Sequence, residues 1–288
     1  MFPLELISKK RSTSLFSGNQ KSHHKGSGIE FSDIREYNAE DSRLIDWKAT
    51  AKSGNQTYIK NYEEWKELRV FIAVNLQSSL YFGRKDEKTK MEALYDILDE
   101  IITACSKENH SLGMYLEDSD TAFIPSKPGN KQRQYIREIF LTHTQKKPSE
   151  VDNFQSLLTQ LVNHKIKNTL LILLSDSLEI PDTKNWKILT KQNDVVRIHM
   201  QNPLEECQID PEKNPLLHIS TRKQGHIFDA LNLKNTNYSS LFLEQKHKLA
   251  QIHRNSGSDY FEITTEWNYI RKLQYLFMNR KKYGFSHH

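Results

Sequence analysis

The chain has few cysteines, and their scarcity excludes two kinds of stabilising chemistry. Cys105 and Cys207 are the only cysteines in 288 residues. Two cysteines this far apart in sequence form neither a disulfide framework nor a zinc site by themselves. We therefore expect the protein to work in a reducing compartment, and we assign it to the cytoplasm.

Glycine and proline are also scarce, and long hydrophobic runs are absent. The sequence holds 10 glycines and 8 prolines, too few for collagen-like or long disordered regions. A transmembrane helix would need a run of about 18 apolar residues, and none occurs. The opening residues MFPLELISKKRS lack the long apolar core of a signal peptide. We predict neither export nor a membrane span.

Neither sign of charge is in large excess. The chain has 41 Lys and Arg residues against 36 Asp and Glu residues, which gives a formal net charge of +5. A balance this mild permits contact with acidic partners but does not require it. Nucleic-acid binding is therefore ranked last among the functions considered.

Strand and helix patterns alternate along most of the chain. The runs LRVFIAVN (68–75) and NTLLILLSD (168–176) are apolar on both faces and have the length of buried central strands. Apolar residues recur at spacings of three and four between residues 88 and 107, which predicts a helix. We predict an α/β fold with a mostly parallel central sheet, helices on both faces, and an irregular or β-containing N-terminal extension.

Shorter strands are predicted at TYIKNYEE, SLGMYLE, TAFIP, VVRIHM and YFEITT, and a hairpin at LHIST and GHIFD. The predicted divisions are a flexible lead-in over residues 1–25, an extension packed on the core over residues 26–66, and the α/β domain over residues 67–280.

The segment GSGIEFSDIREYNAEDSRLIDW (26–47) concentrates charged and aromatic side chains. Arginines and carboxylates paired inside it would form a structural clasp that holds an irregular backbone in one shape, with the aromatic and apolar residues anchoring it on the sheet edge. Alternatively, the same arginines and aromatics, with Lys48 and Lys52, would form a docking surface, because these residue types dominate interaction hot spots. The candidate residues for a clasp or a partner-binding surface are Arg35, Tyr37, Asp41, Arg43, Asp46 and Trp47. A general acid and base pair of Asp41 and Asp46 is the weakest of the three interpretations, because nothing nearby supplies a nucleophile or a metal cluster.

Oxygen-bearing side chains follow the two central strands, where ligands gather in open parallel sheets. Asn75, Gln77 and Ser79 stand at every second position after the first strand, and Asp176 ends the other. Their oxygens could meet around a hard cation such as Mg²⁺. Asn75 and Asp176 could instead cap helix N-termini, which needs no ion. His199, in the strand VVRIHM, is expected to be a packed core residue and not a ligand.

The order of strand, serine-containing loop, helix and a later strand ending in Ser-Asp resembles the von Willebrand factor A fold with its metal-ion-dependent adhesion site. Five blocks extend the resemblance over residues 18–277: GSGIEFSDIREYNAEDSRLIDWKATAKSG, RVFIAVN, LLILLSD, RIHMQNPLEE and FEITTEWNYIRKLQYLF. Together these blocks are similar to the bacterial domain of unknown function 58 family. The IDW block is the most specific of them.

The resemblance implies a von Willebrand A-like domain with an N-terminal extension beside it. It also implies a protein-interaction role, as an adaptor or chaperone partner of a MoxR-type AAA+ ATPase acting on an unknown client protein, and no enzymatic activity.

The resemblance further implies a metal site at Asn75, Ser79 and Asp176, but the chain departs from the metal-site pattern. Asn75 replaces an Asp, Gln77 replaces the first Ser, and the usual Thr has no counterpart near residues 151–152. One remaining carboxylate should hold Mg²⁺ weakly, so we expect a degenerate site and no cofactor. The alternative function is a metal-dependent hydrolase that uses Asp176 and Ser79.

Overall fold

The computed structural model describes most of the chain as two compact units. The described residues are 3–9, 29–36, 45–53, 57–64, 68–81, 88–118, 121–145, 154–202, 216–220, 225–229, 238–265 and 268–284. The larger unit contains residues 3–9 and the described residues from Leu68 onwards, and the smaller unit contains those between Ile29 and Glu64.

The smaller unit is a pair of antiparallel strands with a short helix in the connection. Strand β1 (Ile29–Glu36) pairs with β2 (Tyr58–Glu64), and helix α1 (Trp47–Ser53) lies between them in sequence. The register shifts between Phe31 and Asp33. This pair is the β structure of the predicted N-terminal extension.

The larger unit alternates strands and helices, as predicted. Its strands are β3 (Arg69–Asn75), β4 (Ser111–Glu117), β5 (Ala122–Lys127), β6 (Leu170–Ser175), β7 (Asp194–Gln201), β8 (Leu216–Ser220), β9 (Gly225–Asp229) and β10 (Asp259–Thr264). Its helices are α2 (Lys90–Lys107), α3 (Asn130–Thr144), α4 (Phe154–Asn163), α5 (Thr183–Gln192), α6 (Tyr238–Ser256) and α7 (Tyr269–Gly284), with a 3₁₀ turn at Ser78–Tyr81. Within the described ranges, no helix has both the length and the apolar character needed to cross a membrane.

Six of these strands form one sheet in the order β10-β7-β6-β3-β4-β5. All neighbouring strands are parallel except β5, which runs antiparallel to β4 at one edge. The chain starts the sheet at β3 in the centre, builds outwards through β4, and then crosses to β6 on the other side. In such doubly wound sheets, the crevice for ligands opens at the carboxyl ends of the two strands where the winding reverses, here β3 and β6. The predicted hairpin of β8 and β9 pairs separately from this sheet.

Helices cover both faces of the sheet, which confirms the predicted fold class. The side chains of β3 alternate between the two faces, as the period of a strand requires. Val70, Ile72 and Val74 join the core under α2, α3 and α7, whereas Phe71 and Ala73 join the core under α4 and α5.

Residues 3–9, which fall within the predicted lead-in, pack against the larger unit. Leu4 and Leu6 are buried in the core beneath the sheet face that α2 and α7 cover. The Ile7 carbonyl accepts a hydrogen bond from Arg280 Nε at 3.1 Å. The short alternation of apolar residues at Leu4 and Leu6 was not recognised in the sequence, because residues 8–25 after it are polar in composition. Residues 10–25 lie outside the described residues.

Candidate functional site

Polar side chains are buried together at the carboxyl ends of β3 and β6. We call Gln77, Ser79, Lys90 and Asp176 the edge cluster. Gln77 and Ser79 follow β3, Asp176 follows β6, and Lys90 is the first residue of α2. Only 1% of the surface of Lys90 is exposed, and Gln77 and Asp176 are also buried. The cluster therefore occupies the place where a ligand-binding crevice would open in this sheet.

Both oxygens of the Asp176 carboxylate are engaged by donors. Lys90 Nζ lies 2.6 Å from Asp176 Oδ2, and Gln77 Nε2 donates a hydrogen bond to Asp176 Oδ1 at 2.5 Å. The predicted ligand Asn75 is fully buried beside the cluster, where its Nδ2 lies 3.5 Å from Ser175 Oγ. The structure thus brings Ser79 and Asp176 together, with Asn75 next to them, and adds an ammonium group to the set.

Local sequence explains why Lys90 reaches the carboxylate. Thr89 caps α2: its side chain accepts a hydrogen bond from the Glu92 amide, and the Glu92 side chain accepts one from the Thr89 amide. This capping box makes Lys90 the first residue of the helix. Side chains on a helix lean towards its N-terminus, so that of Lys90 extends towards the carboxyl edge of the sheet.

Asp176 is ionised in this setting. Burial alone would raise the pKa of its carboxyl, but the charge of Lys90 and the hydrogen bonds from Gln77 and Lys90 outweigh burial and hold the pKa below its ordinary value. A carboxylate with a lowered pKa is a weak base at neutral pH. This arrangement therefore disfavours the hydrolase alternative, in which Asp176 would serve the chemistry of Ser79.

Arg197 and His199 of β7 lie close to this edge of the sheet. The Arg197 guanidinium on β7 donates to the Ser177 carbonyl at 2.6 Å and stacks 4.0 Å from the Phe154 ring centre. His199, on the same strand, is buried as expected for a packed residue. Burial first, then the charge of Arg197, lowers the pKa of His199 to about 3, with smaller contributions from Lys90 and Lys246. His199 is therefore neutral at physiological pH.

The residues of the edge cluster do not fit the divalent cation that a metal-ion-dependent adhesion site would hold. Mg²⁺ takes carboxylate and other oxygen ligands, whereas Asp176 faces the ammonium of Lys90 and the amide nitrogen of Gln77. Across the described part of the chain, no group of three or more His, Cys, Asp or Glu side chains is arranged to bind a metal. The predicted ligand set of Asn75, Ser79 and Asp176 thus has one carboxylate, and an internal cation already holds it.

The candidate residues of the N-terminal segment belong to the smaller unit where they are described. Arg35 pairs with Ile59 in the ladder of β1 and β2. Asp46 precedes α1, where its Oδ1 accepts from the Lys48 amide at 3.0 Å and its own amide donates to the Tyr58 carbonyl at 2.8 Å. These contacts give Asp46 a structural role. Tyr37, Asp41 and Arg43 lie outside the described residues.

Trp47 has a largely exposed side chain. It is 70% exposed at the start of α1, and the neighbouring Lys48 is also exposed.

Sequence reasoning missed Lys90, the residue that decides the chemistry of the edge cluster. A signal for it was present, since TKME (89–92) has the form of a capping box directly before an apolar run. That pattern places Lys90 at the first helical position. It does not indicate which carboxylate the ammonium meets.

The strand order defines a doubly wound α/β domain with a buried polar cluster at the carboxyl edge of its sheet. The sequence model described as "Protein of unknown function DUF58" matches residues 33–226, well over half of the chain. The chain belongs to this family.

The solved structures that match this chain are distant from it in sequence. An aerotolerance-related membrane protein from Bacteroides fragilis is 9% identical with a TM-score of 0.46, over 75% of this chain and 99% of that one. The VWA domain of SpRpn10 is 14% identical with a TM-score of 0.41, over 72% of this chain and 94% of that one. A mutant of the PilB minor pilin from Streptococcus sanguinis is 11% identical with a TM-score of 0.41, over 79% of this chain and 65% of that one. A search among curated proteins gives no match to this chain.

Proposed function

We propose that this protein is a non-enzymatic interaction module of the cytoplasm, which serves a MoxR-type AAA+ ATPase as an adaptor or chaperone partner. The family resemblance supports the choice of partner. The observation that carries the non-enzymatic part is the closed ion pair of Lys90 and Asp176, which fills the place where sheets of this kind bind their substrates.

The exposed face of α1 supplies the contact with the partner in this proposal. Trp47 is the most exposed of the large hydrophobic residues in the described ranges, and tryptophan is enriched among residues that dominate binding energy. Lys48 adds a positive charge beside it. A partner surface with an apolar pocket and an acidic rim would match this pair.

Direct binding between purified proteins tests the proposal. The probe is the MoxR-type ATPase encoded in the same genome, titrated into this protein by calorimetry without nucleotide, with ADP, and with a non-hydrolysable ATP analogue. We expect binding in at least one nucleotide state. We expect Trp47→Ala to weaken it by about 30-fold, since an interaction hot spot contributes about 2 kcal/mol or more.

A matched control separates the partner from the docking surface. Tyr275 on α7 is 65% exposed, so Tyr275→Ala removes an exposed aromatic of similar accessibility from the larger unit, and we expect it to leave the affinity unchanged. Loss of binding in Tyr275→Ala but not in Trp47→Ala would refute α1 as the contact and leave the partnership intact. No binding by the wild type in any nucleotide state would refute the partnership.

A further inference from the structure

The ammonium of Lys90 lies where a ligand of this sheet would lie. It reaches the carboxyl edge between β3 and β6 from the first position of α2, with 1% of the residue exposed. Its distance of 2.6 Å from Asp176 Oδ2 is that of a direct ion pair. The positive charge that balances the Asp176 carboxylate at this edge of the sheet is therefore supplied by a side chain of the protein itself.

The other side chains of the edge cluster retain the means to bind a cation if the ammonium is removed. Gln77 Oε1 is buried and has no hydrogen-bond partner in the described structure. Rotation of the Gln77 amide would turn this oxygen towards Asp176 in place of Nε2. Asp176, Gln77 and the adjacent Ser79 hydroxyl would then offer the oxygen ligands that hard cations take.

An ammonium and a divalent ion compete for the same carboxylate. Lys90 is covalently attached and pre-positioned by the Thr89 cap, so it occupies the site at a high effective concentration. Mg²⁺ loses its hydration water reluctantly and gains no free carboxylate in return.

We propose that Lys90 is a built-in cation at the edge of the sheet, which takes the place of a divalent ion and makes the edge independent of metal. Shortening Lys90 converts the edge cluster into a weak site for Mg²⁺ or Mn²⁺, since Asp176 is its one carboxylate. This inference concerns the edge cluster alone, so it stands or falls separately from the partnership with an ATPase.

The test compares the wild type with Lys90→Ala under increasing Mn²⁺ and Mg²⁺. We expect no saturable Mn²⁺ binding by the wild type in electron paramagnetic resonance titrations, and no rise of its Tm with millimolar metal. Lys90→Ala should be less stable without metal, because Asp176 is then buried without its partner. Its Tm should rise with metal concentration, because a ligand that binds only the folded state stabilises it.

Two further variants identify the residues that cause the rise of Tm with metal. Lys90→Met fills the same space without a charge, so it should be less stable than the wild type, and its Tm should not rise with metal. Adding Asp176→Asn to Lys90→Ala removes the carboxylate and should abolish the response.

The proposal is overturned if the wild type binds Mn²⁺ as tightly as Lys90→Ala does, or if a folded Lys90→Ala binds none. If Lys90→Ala does not fold in metal-free buffer, folding on addition of Mn²⁺ supports the proposal. Failure to fold with Mn²⁺, while Lys90→Met folds without it, contradicts the proposal.

Discussion

Two buried histidines stay neutral next to the same arginine. Burial lowers the pKa of His199 and of His253 to about 3, and in both cases the charge of Arg197 is the next cause. A histidine in the unfolded chain has a pKa of about 6.5, so the unfolded state binds more protons than the folded state between that pH and 3. The stability that each neutral histidine contributes is thus fully present above about pH 6.5. As the pH drops from there towards 3, the free energy of unfolding falls by about 1.4 kcal/mol per pH unit for each histidine.

Replacing His253 with asparagine should flatten this dependence on pH. His253 Nδ1 lies 2.9 Å from Ser258 Oγ, and an asparagine amide can keep that hydrogen bond without titrating. Between pH 7 and pH 5, we expect the wild type to lose about 2 kcal/mol more of its unfolding free energy than His253→Asn loses. Urea unfolding at the two pH values measures the difference, with His247→Asn on the exposed face of α6 as the control for the substitution itself. Equal losses in the wild type and in His253→Asn would contradict the assignment.

At the scale of single elements, strand β4 approaches its neighbours so closely at Gly113 that only glycine fits. Gly113 lies opposite Phe71 of β3. A Cβ atom on Gly113 would lie 2.7 Å from Phe71 Cδ2 and 2.8 Å from the backbone nitrogen of Ser126 on β5. Both distances are shorter than van der Waals contact, and the second involves a backbone atom that a change of rotamer cannot move.

We therefore expect Gly113→Ala to destabilise the protein. Overpacking of this kind costs about 1–3 kcal/mol, which exceeds the gain of about 0.5–1 kcal/mol that alanine otherwise brings over glycine within a strand. The measurement is the free energy of unfolding in urea. A variant as stable as the wild type would show that β4 and β5 can separate without cost.

The types and order of the elements of the sheet could be predicted because their signals are local. Residues 68–75 and 168–176 are apolar on both faces, and the structure has β3 at Arg69–Asn75 and β6 at Leu170–Ser175. The helix predicted over residues 88–107 begins at Lys90, since the Thr89 cap sets its start. Strand β1 was not singled out in advance, because its pairing with β2 bridges residues that are far apart in sequence.

At the scale of the whole molecule, the N-terminal residues 3–9 complete the larger unit. Arg280 of α7 forms ion pairs with Asp194 at 2.6 Å and with Asp259, at the start of β7 and of β10. Asp194 Oδ2 also accepts hydrogen bonds from the Ser8 hydroxyl at 2.8 Å and the Lys9 amide at 2.6 Å. The same arginine thus connects the N-terminal segment to two strands of the sheet and to the last helix.

Shortening Leu6 should therefore destabilise the larger unit, although Leu6 is only the sixth residue of the sequence. Leu6 is buried in the main core, and large-to-small changes of this kind cost about 2–5 kcal/mol. Leu243→Ala is the control, because Leu243 is 46% exposed on α6 and exposed substitutions change stability by less than about 0.5 kcal/mol. Unfolding in urea compares the two variants. If Leu6→Ala is no less stable than Leu243→Ala, residues 3–9 contribute nothing to the core.

The sequence by itself determined the family, the fold class and most of the elements, because hydrophobic periodicity, caps and specific blocks such as IDW are properties of neighbouring residues. Only the tertiary structure decided that Leu4 and Leu6 belong to the core and that Trp47 is exposed. It also decided that the ammonium of Lys90 pairs with Asp176. Lys90 and Asp176 are 86 positions apart, and no local pattern reports which charges meet when α2 packs on the sheet. The physical reason is that a buried charge is stabilised by the opposite charge beside it in space. Which charge lies there depends on how the elements pack in the folded chain.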